Sequence, residues 1–342
     1  MTMAVTPAHA SVQVTFYVDG VNGNDSNPGT SNAPFRTIDM ARQQVATVNA
    51  NMTGDIDVNI APGDYYLSST LTFGPADSGT NGYNIVYQSG DGVPGSVRII
   101  GGSLVTGWQT TTSADLANDL PSASVGHVFK TQLPAGTNFN TLYVNDNRAV
   151  MARSKNYTYD PRFPASSNQF LRTTGGDTYS ITYGSDLDAN SIQGLVNAQS
   201  RGQLDAQFVI WSGYATGGSD WYQETLPIGN VDTSGKRLTV VKDAQHPEVN
   251  RTHWTFSSDY RYFVQGNLSF LDAPGEYYLN KTTGWLYYYP NASEINPGTG
   301  AINVSVVRPT MQKAIYFKGA DKASLSAVPN PTQQVHNIVL NG

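Results

Sequence analysis

Apolar residues in this chain recur mostly at every second position. In DIDVNIAPGDYYLSSTLTF (55–73), Ile56, Val58 and Ile60 alternate with Asp57 and Asn59, the chain turns at Pro62-Gly63, and alternation resumes through Tyr65, Leu67, Leu71 and Phe73. A period of two places one set of side chains on one face of a strand, so the stretch predicts short strands separated by a Gly/Pro turn. YNIVYQSGDGVPGSVRIIGG (83–102) repeats the scheme, and KAIYFKGA (313–320) and HNIVLNG (336–342) return to it far downstream. Ile315 and Ile338 stand 23 residues apart. That spacing suits one coil of a parallel β-helix, whose inward residues are buried only when a neighbouring coil covers them.

One stretch follows a different period. Ile38, Ala41, Val45 and Val48 fall at intervals of three and four, with Thr37 in position to cap. The pattern predicts a helix over 37–50 that covers the open bottom of the coils.

Between 107 and 309 the candidate strands lengthen and pair as hairpins: NTLYVNDNRAVMARS, QFVIWSGY, KRLTVVKD, EYYLNKTTGWLYYYP and INVSVVRP. In the fourth, Lys281-Thr282-Thr283-Gly284 separates two alternating runs, with Gly where a positive φ is required. Long antiparallel strands predict a β-sandwich or barrel inserted into the coils. The expected organisation is a signal-peptide remnant (1–10), a cap helix with the first coils (11–106), the inserted antiparallel domain (107–309) and a return to the coils (310–342). The fold class expected is all-β: the start of a right-handed parallel β-helix, a capping α-helix, and the insert.

Composition agrees with strands and turns. Only 13% of the 342 residues are charged, and there are four glutamates; helix surfaces are usually richer in Glu, Lys and Arg. The net charge of −6 and scattered cations give no basis for a nucleic-acid or anionic-membrane partner. No apolar run is long enough to span a membrane. The chain has no cysteine, which excludes disulfides and thiolate metal sites. Ala8-His9-Ala10 has the small-x-small form of a signal-peptidase site, and eight Asn-x-Ser/Thr sequons accompany it. The expected location is therefore secreted, outside the cell.

FYVDGVNGNDSNPGTSNAPFRTI (16–38) crowds Asp19, Asn22, Asn24, Asp25, Ser26 and Asn27 together. Read as an EF-hand loop from Asn22, it offers Asn22, Asn24 and Ser26 at positions 1, 3 and 5, but Asn27 stands at position 6 and Ala33 at position 12. Lacking the bidentate carboxylate, the loop reads as turn chemistry around Pro28-Gly29, and neither metal nor cofactor is expected. Two acid pairs, Asp220/Glu224 and Asp272/Glu276, have the residue types that glycoside hydrolysis uses. If extended, each pair would stand about 13 Å apart, too far to cooperate; Glu276 sits inside the DAPGEYYLN turn, where Asp272 is expected to bond backbone amides. His127, His246, His253 and His336 are isolated from one another, and no nucleophile elbow occurs. Trp211, Tyr214, Trp221, Tyr222 and Trp254 cluster in the insert among Gly and Ser. Aromatic faces of this kind stack on pyranose rings, so these five are the candidate substrate-binding residues.

FYVDGVNGNDSNPGTSNAPFRTIDMA resembles the start of secreted right-handed parallel β-helix proteins of the pectate-lyase-like superfamily. FLDAPGEYYLNKTTGWLYYYP, VVRPTMQKAIYFKGA, HNIVLNG and LYVNDNRAVMARSKN resemble a narrower group: β-helix glycoside hydrolases with an inserted β-domain, of the family 141 and family 120 type. The resemblance spans most of 16–342. It implies a polysaccharide or oligosaccharide partner, glycosidic hydrolysis, and catalytic carboxylates on coils C-terminal to this chain. It carries no catalytic residue onto a position here, so those residues stay unassigned. A polysaccharide lyase of the same fold and a non-catalytic sugar-binding or adhesion module are the alternatives.

Overall fold

A computed structural model describes residues 11–155, 170–211, 223–241, 255–320 and 334–342. The chain divides into two compact units, one built from the chain up to Ser103 together with that from Pro309 on, the other from Leu104–Arg308.

In the first unit the three stacks of strands pair in parallel. Val12–Val18, Asp55–Ile60, Ile85–Ser89 and Ile338–Asn341 form a four-stranded sheet in that spatial order. Gly63–Tyr66 pairs with Val97–Ile100, and Leu71–Phe73 pairs with Ile315–Phe317. Two passes of the chain thus each add one strand to each of three stacks, and Val12–Val18 and Ile338–Asn341 extend the first stack alone. The repeat is the 29 residues from Ile56 to its partner Ile85. The 23-residue interval is a different quantity: Ile315 pairs with Leu71 and Ile338 with Ile85, so those two residues belong to separate stacks. Equal alternation marks a buried face without naming the strand beside it.

In-register pairing lines up like residues, Ile56 beside Ile85 and Ile338, and Val58 beside Phe16 and Tyr87. Ile56, Val58 and Ile85 are fully buried. Phe73 lies between Tyr87, edge-on at 5.3 Å, and Phe317, stacked at 5.1 Å. The helix runs Ile38–Val45, capped by Thr37 Oγ1, which accepts from the Met40 amide at 3.1 Å. It buries Ile38, Ala41 and Val45 in the same core.

The oxygens of the opening loop hold the loop itself. Asp19 accepts from the Val21 and Asn22 amides, and Asn24 from the Ser26 amide, all at 2.9 Å. Asp25 accepts from the Arg36 and Thr37 amides and the Thr37 hydroxyl, which ties the loop to the first turn of the helix. With those acceptors already engaged, added calcium is expected to leave the thermal midpoint within about one degree, because only a ligand that binds the folded state raises it. A rise of several degrees that a chelator reverses would refute this.

The second unit contains a closed six-stranded barrel of antiparallel neighbours: Leu171–Gly176, Ser180–Tyr183, Arg237–Val240, Gln223–Asp232, Gln207–Trp211 and Arg261–Gln265. Phe208 and Ile210 point inward with Leu171, Ile181 and Tyr262. Their alternate neighbour Val209 packs on the outer face with Phe170 and Phe263. A second sheet runs Val150–Met151, Glu276–Leu279, Trp285–Tyr288, Phe129–Gln132 and Gln109–Thr110. Its central hairpin is covered on both sides: Tyr277 and Tyr288 enter one core, Tyr278 and Tyr287 the other. The parallel pairing of Val150–Met151 with Glu276–Leu279 departs from the all-antiparallel expectation for this region.

A helix over Ala189–Ser200 is the element the alternation pattern hides. Asp188 caps it, accepting from the Ser191 amide at 2.9 Å. Ile192, Leu195 and Val196 carry the helical spacing, diluted by Asn, Ser, Gln and a glycine. Gly194 lets the helix lie against the Leu268–Phe270 turn, where a Cβ would fall 2.2 Å from Ser269 Oγ.

Candidate functional site

Of the five aromatic candidates, Trp211 lies in the described structure. Tyr214, Trp221, Tyr222 and Trp254 lie outside the described residues. Trp211 ends its strand half-buried on the outer face of the barrel, edge-on to Phe170 at 5.1 Å and 6.1 Å from Phe263. The Arg261 guanidinium lies 5.0 Å from the Trp211 ring and 5.3 Å from Phe170, and that of Arg153 lies 5.8 Å from Phe263. Period-two geometry brings Val209, Trp211 and Phe263 together, and the two arginines lie over their rings.

Asp272 and Glu276 are not joined by an extended segment. Asp272-Ala273-Pro274-Gly275 is a turn, with Gly275 at φ +87°, so a strand's rise per residue does not apply. Glu276 Oε2 reaches back to accept from the amides of Asp272 and Ala273, each at 3.3 Å. Glu276 is 3% exposed, and its Oε1 has no hydrogen-bond partner. Burial pushes its carboxyl up to about 8 and the Asp272 charge adds to this, while the two amides and the Arg153 charge oppose it. Burial beside a second acid favours the protonated form of the carboxyl. The turn was legible in Pro274-Gly275, but the acid that accepts from the backbone amides is Glu276 rather than the expected Asp272.

Asp272 and Arg153 line a cleft of about 470 Å³ within the second unit. Asp119 and Asp188 add carboxylates, and Ser122, Ser154 and Asn190 add uncharged polar groups. Asp119 is held by Arg201 and Asn197, each at 2.6 Å. Partial burial opposes ionisation of Asp188, but the hydroxyl and amide of Ser191 outweigh it and hold its carboxyl below the usual range.

The first unit has a groove of equal volume, about 470 Å³, between the opening loop, the first helix and the strand Gly63–Tyr66 with the turn after it. Tyr65 closes its base, donating to the Ala61 carbonyl at 2.8 Å and accepting from the Gly20 amide. Tyr66 lines it with 37% of its surface exposed. Among the described residues, no group of three or more His, Cys, Asp or Glu side chains is placed to hold a metal ion. Of the described histidines, His127 stacks on Tyr289, and the His336 amide donates to Ser78 Oγ.

Residues 21–76 match a family described as "Protein of unknown function (DUF1565)". No curated protein matches the chain. A solved structure titled "Glycoside hydrolase" is similar over 95% of this chain and 49% of its own, at 20% identity and a TM-score of 0.68. The chain thus spans about half the length of that structure and shares its fold. Another, titled "The complex structure of XylC with xylose", aligns over 80% of this chain and 31% of its own at 14% identity, with a TM-score of 0.22.

Proposed function

We propose that this chain is the N-terminal part of a secreted, carbohydrate-active protein built on a right-handed parallel β-helix with an inserted β-domain, acting as a glycoside hydrolase. The observation that carries the reading is the fold shared with the structure titled "Glycoside hydrolase", over 95% of this chain. At 20% identity the likeness is one of fold, and substrate class is what this reading adds. Right-handedness follows from the general rule for parallel strands joined by crossovers within one sheet. Membership of the family 141 and 120 type is the finer form of the same reading.

The reading places the catalytic carboxylates on further coils that would pair with Ile315–Phe317 and Ile338–Asn341. Tyr316, Phe317, Val339 and Leu340 on those edge strands are 36–47% exposed, an apolar surface that another coil would bury. The test is a glycan array and a reducing-end assay on the chain as it stands. Retention of a polysaccharide without cleavage is the expected result. Failure to retain any polysaccharide would sink the reading.

A further inference from the structure

We infer that the groove of the first unit is a binding site for neutral sugar rings, with Tyr66 as its stacking face and Arg36 and the serines after Tyr66 as its polar contacts. The inference rests on the carbohydrate reading and adds to it a site and a substrate class.

The groove joins the two surfaces a pyranose needs. One is apolar: the ring of Tyr66, with Met40 and Leu67 also on the lining. A sugar ring presents C–H groups on one face, and an amphipathic tyrosine at a half-wet edge packs against them while its hydroxyl stays near water. The other surface is polar and uncharged. Ser68 and Ser69 are exposed on the turn after the strand, with Gln43 on the helix beside them. Small hydroxyls and an amide can both donate and accept, as ring hydroxyls do.

The charges decide between neutral and acidic sugars. Asp64 is bound by both arms of Arg98 at 2.6 Å. Asp39 is bound by Arg42 at 2.8 Å and by Gln43 at 2.7 Å. Asp25 is held by the Arg36 and Thr37 amides. Arg36 is exposed, and among the described residues its guanidinium has no ion-pair partner. Arg42 also binds Asp77 at 2.7 Å, so with it four carboxylates stand against three guanidinium groups. A groove with that excess of carboxylate, in a chain of net charge −6, offers a uronate carboxylate no net attraction. The guanidinium remains able to donate to hydroxyl oxygens.

The cleft of the second unit is the rival place for a sugar. Phe270, the aromatic residue on its lining, is 2% exposed and so has no face to stack on. A volume of about 470 Å³ lies in the range of small-ligand sites for both, so the tyrosine is what separates them.

The test is calorimetric titration of the whole chain with neutral oligosaccharides and with uronic-acid oligosaccharides of equal length. Tyr66→Ala and Arg36→Gln should each weaken neutral-sugar binding by about tenfold, with the thermal midpoint of each variant checked against wild type. Tyr66→Phe keeps the ring and should bind within about threefold of wild type. Tighter binding of the uronates than of the neutral sugars overturns the substrate class. Undiminished binding in Tyr66→Ala, with loss in Asn190→Ala, moves the sugar to the second unit and overturns the site while the carbohydrate reading stands. If wild type binds neither series, the reading and the inference fall together.

Discussion

Replacing Glu276 with glutamine is expected to abolish most of the pH dependence of the second unit's stability between about pH 4.5 and pH 8. The carboxyl is buried, lies beside Asp272 and has one oxygen without a partner, and its pKa rises to about 8 from an ordinary value near 4.5. The folded state therefore keeps its proton across a window in which the unfolded chain has already lost it. Stability rises with pH where the unfolded state holds more protons, so here it must fall as pH rises through this window. It should be fully present below about 4.5 and level out above about 8. At 1.36 kcal/mol per unit, the loss is at most about 5 kcal/mol, reduced by whatever water reaches the site as the turn loosens. Glutamine copies the protonated state: one oxygen can still accept from the Asp272 and Ala273 amides, and no charge appears at high pH. Urea unfolding at pH 5 and pH 8 should show a fall for wild type and a nearly level response for Glu276→Gln. Parallel profiles for the two proteins would mean that Glu276 does not carry the effect.

Gly284→Ala is expected to destabilise the second unit by more than about 3 kcal/mol. Gly284 closes the Glu276–Leu279/Trp285–Tyr288 hairpin at φ +82°. The left-handed region alone costs an L-residue about 1–2 kcal/mol. Here an added Cβ would also fall 2.2 Å from the Leu133 carbonyl oxygen and 2.8 Å from that of Pro134, both backbone atoms. The glycine cannot yield, because its amide donates to Asn280 O at 2.7 Å and its carbonyl accepts from the Leu133 amide. Gly126→Ala separates the two causes. Its φ is also +82°, with nothing within 4 Å of the added atom, so it should show the conformational cost alone. Equal losses for the two variants in urea unfolding would mean that the 133–134 segment simply moves aside.

These two residues also mark how far the chain could be read without its fold. Gly284 was legible: alternating runs on either side of Lys-Thr-Thr-Gly specify a hairpin and call for glycine. What made it critical, the carbonyls of Leu133 and Pro134, comes from 150 residues away. Glu276 was visible as an acid four residues from Asp272, but an extended-strand distance placed the two apart. The Ala-Pro-Gly turn folds them together, and burial between two cores sets the proton affinity. Among the sugar-binding candidates, the sequence drew attention to aromatics of the insert, while Tyr66 stood unnoticed in an alternating strand. Only the helix and loop packed around it turn an ordinary exposed tyrosine into the wall of a groove.

Local rules were enough for the alternation of Ile56, Val58 and Ile60, the Thr37 cap, and the self-bonding turns from Asp19 to Asp25, because each depends on residues within a few positions. Pairing was not local. Ile338 joins Ile85 and Ile315 joins Leu71 across an excursion of about two hundred residues, and a period of two says which face is buried but never which strand lies beside it. The same limit hid the helix at Ala189–Ser200, whose weak stripe becomes decisive only once Gly194 is pressed against Ser269. Proton affinities, grooves and charge balance depend on through-space distance, and the fold alone supplies that distance.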